Sequence, residues 1–245
     1  SKVYEWMLYR GDYDQLPFDR VAAFIEHNAP WPNQIALKKT AERVMPVDLP
    51  PSQVLAWFSK YPPVSGQGMI KLLYAVRLAG QGGQVSANVN KLIIDQWPVA
   101  DIAGDDLGTL WNEVGRVIPL SVHVKRLDKL LFAEKYTPAR ALAQLMGGGY
   151  PELVEARITL AEDKGEASAL INRVPSNLRN DAGLMYERLS WRRRNDQDSG
   201  AIVILQSAPN MAQVTNPGEW WKERHIMIRR MIEAHNYKLA YQLAA

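Results

Sequence analysis

The densest concentration of chemically capable side chains lies in two basic, aromatic segments near the C-terminal end. One is Leu184-Met185-Tyr186-Glu187-Arg188-Leu189-Ser190-Trp191-Arg192-Arg193-Arg194. The other is Asn216-Pro217-Gly218-Glu219-Trp220-Trp221-Lys222-Glu223-Arg224-His225, continuing to Arg229 and Arg230. Indoles stack on sugar rings and guanidiniums fork onto carboxylates. Arg192, Arg193, Trp220 and Arg224 are therefore candidates for contact with a glycan or with another domain. The competing reading is architectural. Leu178, Ala182, Met185 and Leu189 share one helical face; Trp221, Ile228 and Ile232 share another, with Trp220, Met227 and Met231 beside it. The apolar positions would then be core, and the arginines a solvated face or partners for carbonyls at helix ends.

Other chemistries find little support. The four histidines, at 27, 123, 225 and 235, show no metal-ligand spacing, and there is no cysteine; no metal or cofactor is expected. Gly147-Gly148-Gly149 lacks the Lys-Ser/Thr that completes a phosphate loop. Gly80-Gln81-Gly82-Gly83 reads as a turn between helices, and no Gly-x-Ser-x-Gly elbow presents a serine. Glycoside chemistry needs a carboxylic acid held protonated in an apolar pocket. Asp105-Asp106 is the pair worth weighing, and its place ahead of Leu107, Leu110 and Trp111 favours a helix cap in the field of the macrodipole.

These segments must be carried by helices, because the apolar residues recur with a helical period throughout. Val21, Phe24 and Ile25 form a stripe that stops at Pro30 and Pro32; Ile35, Leu37, Ala41 and Val44 run to Pro46; Val54 to Phe58 follow Pro50-Pro51-Ser52. Met69 to Ala79 begin near Gly66 and end at Gly80, and Val85 to Trp97 close at Pro98. Later stripes run from about Asp106 to Val114, Leu120 to Leu131, Ala139 to Met146, Leu153 to Leu160, Ala167 to Ile171, Leu178 to Arg194, Trp220 to Ala234, and Tyr237 onward. Ala201-Ile202-Val203-Ile204-Leu205 could compete as a strand, but it has no partner strand and reads as helix. Prolines at helix starts and glycines at helix ends mark the boundaries.

About a dozen helices with short connections, recurring in pairs with alanines at close approaches, predict an all-α solenoid. A compact bundle is the alternative. Hydrophobic residues make up 47% of the 245, ample for a core. The net charge of +3 falls well short of the basic stripes that mark nucleic-acid binding, although anionic polymers remain possible partners. No apolar run is long enough to span a membrane. No leader opens the chain, which fits either a cytosolic or a processed protein.

Six stretches, in this order, resemble the N-terminal superhelical domain of soluble lytic murein transglycosylases. Phe24 to Pro32 is similar to the family's Asn-Pro-x-Trp-Pro turn, with alanine departing from the usual pairing before Pro30. Pro62 to Gly68 looks like its Pro-(x)-Gly-x-Gly helix start, and Leu92 to Trp97 like its helix ending in tryptophan. His123-Val124-Lys125-Arg126-Leu127-Asp128-Lys129-Leu130-Leu131-Phe132 resembles its Asp-His-x-x-Arg-Leu-Asp-x-Leu-Leu helix, with Val122 in place of the first Asp. The Tyr186–Trp191–Arg194 and Glu219–Arg224 segments complete the match, and Ala240 to Ala244 looks like the run into a following domain.

The resemblance implies a right-handed α-superhelix over residues 1–245, a single domain of stacked helix pairs whose last helices lead toward a linker domain. It implies a periplasmic parent enzyme, its leader removed, that cleaves the β-1,4 bond between N-acetylmuramic acid and N-acetylglucosamine to leave a 1,6-anhydro end. The family's catalytic glutamate stands in a Glu-Ser-x-Phe motif within a lysozyme-like domain. No Glu-Ser dipeptide occurs in this chain, so no catalytic residue carries over. The implied partners are peptidoglycan strands and the linker and catalytic domains of the same protein. A tetratricopeptide-like adaptor, binding a protein or peptide on a concave face, is the other class that helical repeats allow.

Overall fold

Proline and glycine punctuation divides the chain much as its apolar periodicity demands. The computed structural model describes residues 1–11, 13, 15–80, 84–164 and 167–244. Helix makes up 72% of it, and no strand is present among the described residues. The α-helices are α1 (Lys2–Tyr9), α2 (Phe18–His27), α3 (Gln34–Val44), α4 (Pro51–Lys60), α5 (Gly66–Leu78), α6 (Gln84–Gln96), α7 (Gly104–Val114) and α8 (Leu120–Phe132). They continue as α9 (Tyr136–Met146), α10 (Tyr150–Ala161), α11 (Ala167–Arg173), α12 (Ala182–Arg194), α13 (Asp198–Gln206), α14 (Pro217–Glu233) and α15 (Tyr237–Ala244). The ambiguous Ala201–Leu205 run is helical, within α13. The Gly80–Gly83 turn lies largely outside the described residues.

Contacts group the chain into two compact units, Ser1–Arg126 and Leu127–Ala245, and the division falls within α8. In the first unit α2 packs on α3, α4 on α5, and α5 on α6 and α7. In the second α9 packs on α10, α10 on α11 and α12, α12 on α13 and α14, and α14 on α15. Each helix thus buries its apolar face mainly on near neighbours in sequence.

The first unit opens with an aromatic cluster. Tyr9, Phe24 and Trp31 meet edge to face, with centroids 5.5 Å apart for Tyr9–Phe24 and 5.7 Å for Phe24–Trp31. Such pairs add about 0.5–1.5 kcal/mol beyond area burial. The Asn28–Pro32 turn that ends α2 is tied down by its neighbours. The Trp6 indole donates to the Pro32 carbonyl at 3.0 Å, and the Gln34 amide donates to the Asn28 and Trp31 carbonyls, each at 3.0 Å.

Two extended turns then pair side by side. Gly66 N–H donates to Asp101 C=O and Asp101 N–H to Val64 C=O, both at 2.9 Å, forming a single parallel bridge. The starts of α5 and α7 are thereby brought together. Ser65 caps α5, its hydroxyl accepting from Gly68 N–H at 3.1 Å. Helix α7 begins two residues earlier than its apolar stripe suggests. Ala103 holds the cap position with no side-chain bond, and Asp105 and Asp106 lie in the first turn. The expected capping role is corrected: these carboxylates sit in the field of the helix N-terminus without bonding to it.

In the second unit α10 is buried nearly all round, with Leu153, Val154, Ala156, Ile158 and Leu160 at its core positions. The Gly147–Gly149 turn that feeds it takes positive φ at all three residues (63°, 56° and 92°), a region glycine adopts without steric cost. The helix expected from Leu178 starts only at Ala182. Asp181 accepts from Leu184 N–H at 2.9 Å and fixes the N-cap there, leaving Leu178 in a short 3-10 turn, Ser176–Leu178. Leu189, Ala201, Ile204, Trp220, Met227 and Leu243 then build the core shared by α12 to α15.

Candidate functional site

Of the four candidates, Arg192 and Arg193 lie on α12 and Trp220 and Arg224 on α14; the three arginines are half-buried and Trp220 is buried. On α14, Trp220, Glu223, Met227 and Met231 follow helical spacing along the inner face, and all four are buried. Trp220 is only 2% exposed, whereas its neighbour Trp221 faces out at 59%. The expectation of Trp220 as a surface contact is therefore corrected: the register of α14 places it in the core.

The three arginines are held by internal partners. Arg193 grips Glu223 in a fork, Nε to Oε2 at 2.5 Å and Nη2 to Oε1 at 2.8 Å. Arg192 donates to the Gly200 carbonyl at 2.9 Å, and Arg224 donates to the Leu243 carbonyl at 2.8 Å. This basic face is cross-bracing rather than a solvated stripe. Replacing Arg193 with methionine strands the buried Glu223 carboxylate and is expected to cost about 2–3 kcal/mol. In chemical denaturation, adding Glu223→Leu should restore much of that loss. If the double variant is no better than the single one, the ion pair is not the reason Arg193 is held.

The resembling helix α8 shows how completely polar residues are absorbed. In the first unit, His123 is buried against Trp97 and Trp111, and its Nε2–H donates to the Gly115 carbonyl at 3.0 Å. Burial lowers its pKa. Arg126 donates to the Trp97 and Ala100 carbonyls at 2.6 and 2.9 Å, closing the end of α6. In the second unit, Asp128 accepts from Arg157 at 2.5 Å and from the Thr215 hydroxyl at 2.8 Å.

Burial pushes two carboxyls up toward neutrality. Glu42, on α3, is 1% exposed, and burial pushes its pKa to about 7 despite hydrogen bonds from Val64 N–H (2.8 Å) and the Ser65 hydroxyl (2.5 Å). Glu187, on α12, is likewise raised to about 7 by burial, opposed by Arg157 and Arg194. Both face the interior: Glu42 anchors the start of α5, and Glu187 borders the buried Arg157.

Asp106 is different, because it lines open space. A groove of about 490 Å³ in the first unit is walled by Met45, Val47, Val54, Ile70, Tyr74 and Leu78, with Asp48, Gln67, Lys71 and Asp106 also in its lining. A second groove of about 430 Å³ is polar, with Arg10, Lys39, Arg43 and Asp101 in its walls. Gln67 and Asp106 belong to both and form the ridge between them. Asp106 packs on Gly66, where a side chain would overlap it. Its carboxyl is pushed up by burial and then by Asp105. Sequence reasoning weighed Asp106 but missed the groove. A signal was present: Gln67, Ile70, Tyr74 and Leu78 form a second stripe on α5, off the one that packs the core.

Among the described residues, no group of three or more potential ligands could hold a metal ion, and no helix is long and apolar enough to cross a membrane. Comparison of the chain with protein-family models, with curated proteins and with solved structures gave no match.

Proposed function

We propose that this chain is a non-catalytic superhelical stretch of a periplasmic peptidoglycan lytic transglycosylase. In this reading its helix pairs stack into a right-handed superhelix that positions a linker domain, a catalytic domain and the glycan strand. The observation that carries the reading is the fate of the α8 motif. His123, Arg126 and Asp128 are each buried and each bonded to main chain or to a neighbouring side chain, as residues that hold repeat to repeat must be. The packing of helices on near neighbours in sequence also supports a repeat architecture.

The parent reaction needs one carboxyl that protonates the leaving oxygen and then takes the proton of the muramyl 6-hydroxyl. The carboxyls raised to about 7, Glu42 and Glu187, are turned inward, where no sugar reaches them. Asp106 meets a groove and burial raises its pKa, but it is only half-buried in the first turn of α7, short of the enclosed apolar pocket a shielded acid needs. Purified chain should therefore sediment with peptidoglycan sacculi yet release no 1,6-anhydro-muropeptides. Anhydro products in a preparation free of host enzymes would reverse the assignment of a scaffold role. A chain that fails to sediment with sacculi, and instead captures a peptide ligand, would turn the reading toward a repeat adaptor.

A further inference from the structure

Resting on the glycan-associated reading above, we propose that the apolar groove of the first unit is a subsite for an uncharged pyranose ring, with Tyr74 as its platform and Gln67 and Asp106 as its hydrogen-bonding edge. A sugar ring has an apolar face of C–H groups and a rim of hydroxyls, each of which can donate and accept. The groove offers the complement. Its volume of about 490 Å³ lies within the range of small-ligand clefts. Tyr74 is 50% exposed along its wall, giving an aromatic face on which a ring can lie. Gln67 is exposed and brings an amide that both donates and accepts. Asp106, half-buried beside it, accepts no hydrogen bond among the described residues, so its carboxylate is left to receive a hydroxyl donor.

Charge selects against anionic occupants. The one cation in the lining, Lys71, is turned to the main chain, donating to the Glu42, Arg43 and Met45 carbonyls at 2.7, 3.0 and 2.6 Å. No basic side chain is thus directed at an anionic head group. A lysine of a bound peptide would meet the exposed Asp48 and the half-buried Asp106, with the Lys71 charge on the same wall. A neutral polyol makes use of the amide and carboxylate together and brings no charge of its own to be desolvated. The Gln67–Asp106 ridge gives a longer strand a path into the polar groove.

The test uses the full chain with chitotetraose as the soluble probe and sacculi as the insoluble one. Chitotetraose binding is measured by calorimetry on wild type and on Tyr74→Ala, Gln67→Ala and Asp106→Asn, with circular dichroism as the check on folding. Tyr74 and Gln67 are exposed, so at least these two variants should keep the native spectrum. The expected result is measurable binding that Tyr74→Ala weakens tenfold or more and that the other two weaken several-fold. Equal binding by wild type and all three variants overturns the proposal. So does sedimentation with sacculi without any affinity for chitotetraose, a result that leaves the broader reading intact. Loss of both wild-type interactions overturns the subsite and the peptidoglycan reading together, as does a lysine-rich peptide that binds in the groove where the sugar does not.

Discussion

Gly183→Ala is expected to destabilise the second unit by about 3–5 kcal/mol, the scale of a broken buried ion pair. Alanine normally stabilises a helix by up to about 1 kcal/mol over glycine, so the expected sign is reversed. The cause is Arg157, 1% exposed, whose guanidinium lies where a Cβ on Gly183 would stand. The guanidinium has nowhere to retreat. Its Nη1 is held by Asp128 at 2.5 Å and lies 3.6 Å from Asp181, and the Phe132 ring is 5.6 Å from its Cζ. Its Nε and Nη2 are buried and already lack partners among the described residues. Gly218→Ala is the control, because a Cβ there meets nothing within 4 Å. Chemical denaturation should show the control neutral or slightly stabilised and Gly183→Ala strongly weakened. Equal midpoints for the two variants would mean that Arg157 is not seated on α12.

The second large effect is a loss of stability as pH rises through neutrality. Glu42 and Glu187 have folded-state pKa values near 7 against an ordinary 4.5. The folded chain therefore holds protons that the unfolded chain has released between these values. The stability they confer is complete below about 4.5 and is lost as pH passes 7, by about 3 kcal/mol for each carboxyl. His123 acts in the opposite sense, since its lowered pKa makes protonation unfavourable in the fold as pH falls through 6.5 and below. Glu187→Gln separates these effects. The variant should melt several degrees above wild type at pH 8 and close to it at pH 5. A melting-temperature difference independent of pH would show that Glu187 is ionised in the fold at both values.

Helix positions were legible because apolar stripes, prolines and glycines are local signals that need no knowledge of the partner. The stripe of α14 even contained Trp220, Met227 and Met231 as a set, although it could not say which of Trp220 and Trp221 faces inward. What sequence could not show are pairings across long separations. The Thr215–Asp128 bond, the Arg193–Glu223 fork and the seat of Glu42 against the start of α5 join residues that no periodicity relates. The same limit hid the groove. Asp106 could be placed on a helix from its neighbours, but its shared ridge with Gln67 arises only where the Ser65–Asp101 bridge draws two helix starts together.

Lys71, Arg126, Arg179, Arg194 and Arg224 each donate to main-chain carbonyls at or just beyond the C-terminal end of a helix. The formal charge of +3 is therefore a poor guide to the field an approaching polymer meets, because many of the cations are oriented by the fold. Electrolyte becomes a means of sorting them. At about 1 M salt the screening length falls to about 3 Å. Exposed pairs such as Lys91–Asp95 and Lys222–Glu219 should then contribute nothing, while the less exposed carbonyl contacts persist. Concentrated brine should leave the melting transition nearly in place, so any polymer it elutes was held by charges the fold does not need.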